Sequence, residues 1–143
     1  MRRSSGEGGS ATVEFVWCSL LLLVPFVYVL LAVFDTQRAA YAVSTASKAA
    51  ARAYLQAADP DEAQARARQA ARIALDDQDV DAQVEVSCLP SASDCLQPGS
   101  SVRVVVRTVQ PLPLTPPALG PQLGGIAVDS EHTEPFGSYR ETR

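Results

Sequence analysis

The chain has 143 residues, a formal net charge of −4 and a single histidine. That length suits one domain, and 16 Asp+Glu against 12 Lys+Arg, with Lys48 the one lysine, excludes the clustered cations of a nucleic-acid binder. The 47% hydrophobic content is unevenly placed: Val13 to Phe34 is nearly all apolar, which leaves roughly a hundred residues to build one small core.

Residues 1–9, MRRSSGEGG, are polar and carry Arg2 and Arg3. They read as a short cytoplasmic leader. The run SATVEFVWCSLLLLVPFVYVLLAVF follows, residues 10–34. As a helix rising about 1.5 Å per residue it crosses a hydrocarbon core of about 30 Å. Pro25 inside it removes one backbone hydrogen bond and is expected to kink it, which membrane helices tolerate. Trp17 and Tyr28 add interfacial character. Arg2 and Arg3 on one side and Asp35 on the other put the N-terminus in the cytoplasm and the remainder outside, by the positive-inside rule. A cleaved secretory signal would have a shorter apolar core ending at small residues; this run is longer, and no A-x-A site follows it at once.

Residues 35–58 stay helical in pattern. DTQRAAYAVSTASKAAARAYLQAA is rich in alanine, the strongest helix former, and Val43, Ala46, Ala50, Ala53 and Tyr54 recur on one stripe. One long helix is therefore expected to run from the membrane outward to about Ala58. A second helix starts at DPDE: Asp59 suits the N-cap, Pro60 the first helical position, and Asp61 and Glu62 the positive end of the dipole. Its pattern ends near Asp77.

Periodicity then changes from helical to alternating. AQVEVSC places Val84, Val86 and Cys88 on one face, and SVRVVVRTVQ sets Val102, Val104 and Val106 against Arg103 and Arg107. The two read as an antiparallel hairpin with a long connection. PLPLTPPALGP cannot be a central strand, because proline donates no ladder hydrogen bond; the Pro-rich stretch 111–121 reads as an extended loop. GIAVDSEHT is a candidate third strand, and EPFGSYRETR a loose tail. The fold class expected is α+β: a long N-terminal transmembrane helix continuing outside, a second helix and a small antiparallel sheet, the last two within residues 59–143.

Little here resembles an active site. His132 is the sole histidine, has no nucleophile motif beside it, and reads as a solvated surface residue. No G-x-S-x-G, phosphate loop or H-E-x-x-H occurs. Asp76, Asp77, Asp79 and Asp81 lack the glycine and spaced Glu of a calcium loop and read as a solvated helix end. Two cysteines and one histidine are too few for structural zinc, so no metal or other cofactor is expected. Cys88 and Cys95 enclose a short loop suited to a disulfide in an oxidising compartment; two free thiols are the other reading. Cys18 lies within the apolar run.

Glu14 is the anomaly. A carboxylate within a spanning segment costs several kcal/mol at mid-bilayer and less near its ends, so it is either at headgroup level or kept for a partner. Its surroundings are a positive leader, Gly9, four residues from Ser10 to Val13, Glu14, Phe15 and a long apolar helix. This pattern resembles the type IV prepilin signal. The stretch GGSATVEFVWCSLLLLVPFVYVLLAVFDTQRAAYAVSTASKAAARA, residues 8–53, resembles the TadE-like pseudopilins of tight-adherence (Flp) pilus systems, with Phe15 standing where that family often has Tyr. The resemblance implies a non-enzymatic, single-pass minor pilin, cut between Gly9 and Ser10 by a prepilin peptidase. It implies that the new Ser10 amine pairs with a Glu14 carboxylate, in the same chain or a neighbour, and that the partners are membrane lipid and other pilin and pseudopilin subunits. The alanines 39, 40, 42, 46, 49, 50 and 51 would let helices of neighbouring subunits approach closely. Two rivals remain: an uncleaved membrane-anchored binding module and a membrane-anchored hydrolase.

Overall fold

The computed structural model describes residues 10–91, 95–113 and 124–137. The leader 1–9 with Gly9, most of the Pro-rich stretch and the last residues of the tail lie outside the described residues. The chain divides into two units, Met1–Phe34 and Asp35–Arg143.

Helix α1, Ser10–Leu55, is continuous and passes through Pro25 without a break. In the first unit its surface is apolar all round: Phe15, Trp17, Leu21, Leu22 and Phe26 are all exposed. Exposed apolar surface of that extent, on a helix long and apolar enough to span a bilayer, is compatible with a single-pass membrane helix.

In the second unit the same helix becomes one-sided. Ala39, Ala42, Val43, Ala46, Ser47, Ala50, Ala51 and Tyr54 are buried, while Arg38, Tyr41, Lys48 and Arg52 are exposed. Ala53, expected on the inward stripe, is only half-buried. The helix stops three residues before the expected Ala58. Gln56 and Ala57 donate to Ala53 and Tyr54, the i→i−3 bonds of a tightening last turn.

Helix α2, Pro60–Asp76, begins as its sequence requires. Asp59 accepts from the Glu62 N–H at 2.8 Å, and Glu62 reaches back to accept from the Ala58 N–H at 3.2 Å, so two orphan donors are satisfied reciprocally. Ala63, Ala67, Ala71 and Leu75 form its buried face. At its far end Asp79 donates to Asp76 O and Val80 to Leu75 O, with Asp79 at φ 52°. This is the paired closure of a Schellman turn, with Asp in the left-handed position that its short polar side chain tolerates. Two of the acids in the Asp76–Asp81 run thus serve the backbone of a helix end.

Strands β1 (Gln83–Leu89), β2 (Ser101–Pro111) and β3 (Gly125–Pro135) form an antiparallel sheet in the order β1-β2-β3. The hairpin register pairs Val84 with Val106, Val86 with Val104 and Cys88 with Val102, so one face of the sheet is a valine surface. Val102, Val104 and Val106 are fully buried with the inward faces of both helices in a single core. Each such valine contributes on the order of 1.5–3 kcal/mol relative to exposure. The other face is charged: Arg107 meets Glu85 at 3.1 Å, and Arg103 meets Glu131. Exposed pairs like these contribute about 0.2–1 kcal/mol each.

The β1–β2 connection turns at Gln97-Pro98-Gly99-Ser100, where the Ser100 N–H donates to Gln97 O and Gly99 sits at φ 89°. Proline second and left-handed glycine third are the requirements of a type II turn. At the start of β3, a Cβ on Gly125 would lie 2.6 Å from Gln110 O, so only glycine fits against β2 there. The candidate third strand is present and longer than its alternating run. The tail is not loose where it is described: Glu134 and Pro135 complete β3, the Phe136 N–H donates to Ser100 O at 2.9 Å, and Phe136 is buried.

Two further expectations are corrected. Of the alanines assigned to contacts between subunits, 39, 42, 46, 50 and 51 are consumed by this chain's own core, leaving only Ala40 exposed and Ala49 half-buried. Small side chains at helical spacing serve intramolecular packing equally well. His132 is not a solvated surface residue. The β3 register sets it opposite Val104, on the core side of the sheet, where it is half-buried.

Candidate assembly site in the N-terminal helix

Ser10 is the first residue of α1, and the first turn contains no acid. Glu14 therefore lies just beyond the first turn. Ser10 and Glu14 are related as i and i+4, so they share one face of the helix. Because every Cα–Cβ bond leans toward the helix N-terminus, the Glu14 side chain extends back over the turn that begins at Ser10. The N–H groups of a helix's first turn and the positive end of its macrodipole attract negative charge. A carboxylate there is favoured by the dipole, and an added amine on Ser10 would be within one side chain's reach.

Glu14 is exposed, and among the described residues no cation lies within 4.0 Å of it. Phe15 is exposed beside it. After Phe15, no ionisable side chain other than Cys18 and Tyr28 interrupts the surface until Asp35. The structure thus brings Ser10, Glu14 and Phe15 together at the start of one helix. Gly9, the other half of the expected cut, lies outside the described residues.

The remaining predicted site residues are in the second unit. Cys88 and Cys95 form a disulfide, with Cα atoms 5.2 Å apart. Cys95 is fully buried, and its partner's Sγ lies 3.7 Å from the Tyr54 hydroxyl of α1. The bridge therefore ties the β1–β2 connection to the end of β1, beneath the last turns of α1. Cys18 is free and exposed on the apolar helix.

Two polar contacts escaped sequence reasoning. Ser47, fully buried in α1, shares a 3.2 Å hydrogen bond with Ser130 of β3 and also donates to Ser44 O. Glu134 draws in two cationic or protonatable groups, His132 Nε2 at 3.2 Å and Arg52 Nε at 4.0 Å. Both link α1 to the edge strand. The Ser47–Ser130 and Arg52–Glu134 contacts carry no local signal, since their residues are about eighty positions apart, whereas His132 and Glu134 are two residues apart on one strand.

No protein-family model matches this chain, and no curated protein and no solved structure matches it.

Proposed function

We propose that this chain is a TadE-like minor pilin, a non-enzymatic single-pass protein that acts in assembly of a tight-adherence pilus after a prepilin peptidase has removed residues 1–9. The observation that carries the reading is Glu14: one carboxylate, one turn from Ser10, at the head of an otherwise apolar exposed helix. In lipid a lone carboxylate costs roughly 3 kcal/mol near the centre of a span and less at its ends. Cleavage after Gly9 would create an amine on Ser10, and pairing the two charges offsets much of that cost. A Glu14 that meets the amine of a neighbouring subunit would set the register of helices in a bundle. Arg2 and Arg3 against Asp35 support a cytoplasmic leader and an extracytoplasmic Asp35–Arg143 unit. The disulfide supports the same side, since such bonds persist in oxidising compartments.

Glu14→Gln tests the reading. The amide keeps the size, removes the charge and costs less in lipid, so membrane insertion and the Cys88–Cys95 bridge are retained. Co-purification with other pilus subunits is compared at matched expression. Loss of those partners with cleavage intact is the expected result. Undiminished recovery and normal pili would return Glu14 to a headgroup-level acid.

A further inference from the structure

Strand β2 changes character along its length. Val102, Val104, Val105 and Val106 are buried, but Val109 is 62% exposed. Strand β1 begins at Gln83, opposite Arg107, so β2 and β3 continue without it for four rungs, from Thr108↔Val128 to Pro111↔Gly125, a ribbon about 13 Å long. Ile126 is exposed on this ribbon, and so are Pro111, Gly125 and Ala127. Residues paired across a ladder share a face, so the pairs Val109↔Ala127 and Gln110↔Ile126 put Val109 and Ile126 on opposite faces. Each face of the ribbon thus shows an exposed apolar side chain. Arg107 and Asp129 pair in the rung just before it, and no ionisable side chain occurs in the sequence from Thr108 to Val128.

Contacts within the Asp35–Arg143 unit fix which end of it the ribbon occupies. Tyr54 of α1 reaches Cys88 near the end of β1, Arg52 reaches Glu134 in the same row of the sheet, and Ser47 meets Ser130 nearer the middle of β3. Helix α1 therefore advances along β3 in the same direction, and its residues before Ser47 accompany the residues of β3 before Ser130. From Ser47 back to Asp35 is about 18 Å of helix, and from Ser130 back to Gly125 is about 17 Å of strand. Even an oblique crossing leaves the ribbon end within about two helical turns, roughly 10 Å, of the level of Asp35. Asp35 follows Phe34, where the apolar run ends, and the headgroup layer between hydrocarbon and water is about 5–7 Å deep. The first turns of α1 beyond Asp35 turn Arg38 and Tyr41 outward, Tyr41 66% exposed, and among the described residues no carboxylate lies within 4.0 Å of Arg38. A cation and an amphipathic ring suit that layer.

We propose that the end of the β2–β3 ribbon, with Val109 on one face and Ile126 on the other, enters the headgroup layer of the leaflet that α1 leaves at Phe34. Lipid is the occupant for three reasons. A protein partner laid against a sheet covers one face, whereas a fluid surrounds a tip that is apolar on both. The ribbon is at the end of the unit where the chain comes out of the spanning segment. The stretch from Thr108 to Val128 brings no charge that lipid would have to desolvate. The depth is limited. Among the described residues no strand pairs with β2 beyond Gln83 or with the outer side of β3, and open sheet edges are tolerated among hydrated headgroups but not in hydrocarbon. The inference rests on α1 spanning the membrane, and on neither the leader, the cut nor Glu14.

Depth-dependent fluorescence quenching tests it with the full-length Cys18→Ser chain in phosphatidylcholine–phosphatidylglycerol vesicles. An environment-sensitive fluorophore is attached, without reductant so that Cys88 and Cys95 stay bridged, to Val109→Cys, Ile126→Cys, Leu22→Cys or Thr133→Cys. Thr133 is exposed near the other end of β3. The quenchers are lipids spin-labelled either near the headgroup or deep in the acyl chain. The shallow lipid is expected to quench Val109→Cys and Ile126→Cys about twofold or more above Thr133→Cys. Adding Val109→Asp to the Ile126→Cys chain, which puts a charge into the tip, returns its label to the Thr133→Cys level. Protection of Cys88 and Cys95 from alkylation confirms that each variant is folded. Deep quenching of Leu22→Cys reports α1 in the bilayer. If it is seen while Val109→Cys and Ile126→Cys match Thr133→Cys, this contact alone is overturned; an unquenched Leu22→Cys overturns it together with the membrane reading. Quenching at only one of the two tip positions, or shielding that follows the protein-to-lipid ratio as a second copy would give, also overturns it. Glu14→Gln leaves every value unchanged, which separates this contact from the assembly role of Glu14.

Discussion

At the scale of single residues, Glu14 and the Cys88–Cys95 pair are the positions where chemistry departs from plain packing. The cysteine spacing suggested a bridge and the structure contains one. What the spacing did not reveal is its setting: Cys95 is buried and Tyr54 of α1 approaches Cys88, a contact 34 positions apart in sequence. Replacing both cysteines by serine should lower the stability of the Asp35–Arg143 unit by about 2–3 kcal/mol, the loop-closure entropy returned to the unfolded chain. A drop in urea midpoint without a change of slope would report it. Unchanged stability would mean that the short loop is already constrained when unfolded. The half-buried setting of His132 is not legible locally because it depends on the β3 register that places it opposite Val104, whereas Glu134, two residues on, shares its strand face.

Among the elements, α2 was the most legible because its signals are local. Asp59 and Pro60 mark its start, and the stripe Ala63, Ala67, Ala71 and Leu75 fixes its buried face. The end of α1 was less so: alanine favours helix on both sides of Leu55, and no glycine marks a stop. The strands were legible from alternation, whereas the role of Phe136 was not, since it rests on a hydrogen bond to Ser100. The alanines of α1 show how one pattern admits two uses. Periodicity locates a stripe of small residues but cannot say whether a sheet of the same chain or a helix of another covers it. Ala46 and Ala40 distinguish the uses experimentally. Ala46 is fully buried, so Ala46→Leu forces extra volume into the core and should cost about 1–3 kcal/mol. Ala40 is exposed, and Ala40→Leu should change stability by less than about 0.5 kcal/mol. Thermal unfolding of the two variants in the same detergent measures the contrast; equal losses would contradict the assignment of α1's faces.

For the whole molecule, an apolar helix with exposed sides joins a unit with a core of its own, and a charged motif marks the helix start. The first two features were legible from hydropathy and periodicity. The third is read as a processing motif only under the proposed function, since nothing in the helix geometry alone requires a glutamate at position 14. Orientation follows from the same account. A reporter active only outside the cytoplasm, fused after Arg143, should be active, and a cytoplasm-active reporter at the same place silent. The reverse pattern would invert the topology and remove the pilin reading with it. The most direct measurement is the N-terminal sequence of the protein extracted from its own membrane. The mature chain is expected to begin at Ser10, with Glu14 as its fifth residue, and Gly9→Val to leave the leader attached. A mature chain that still carries residues 1–9 would contradict the proposed function.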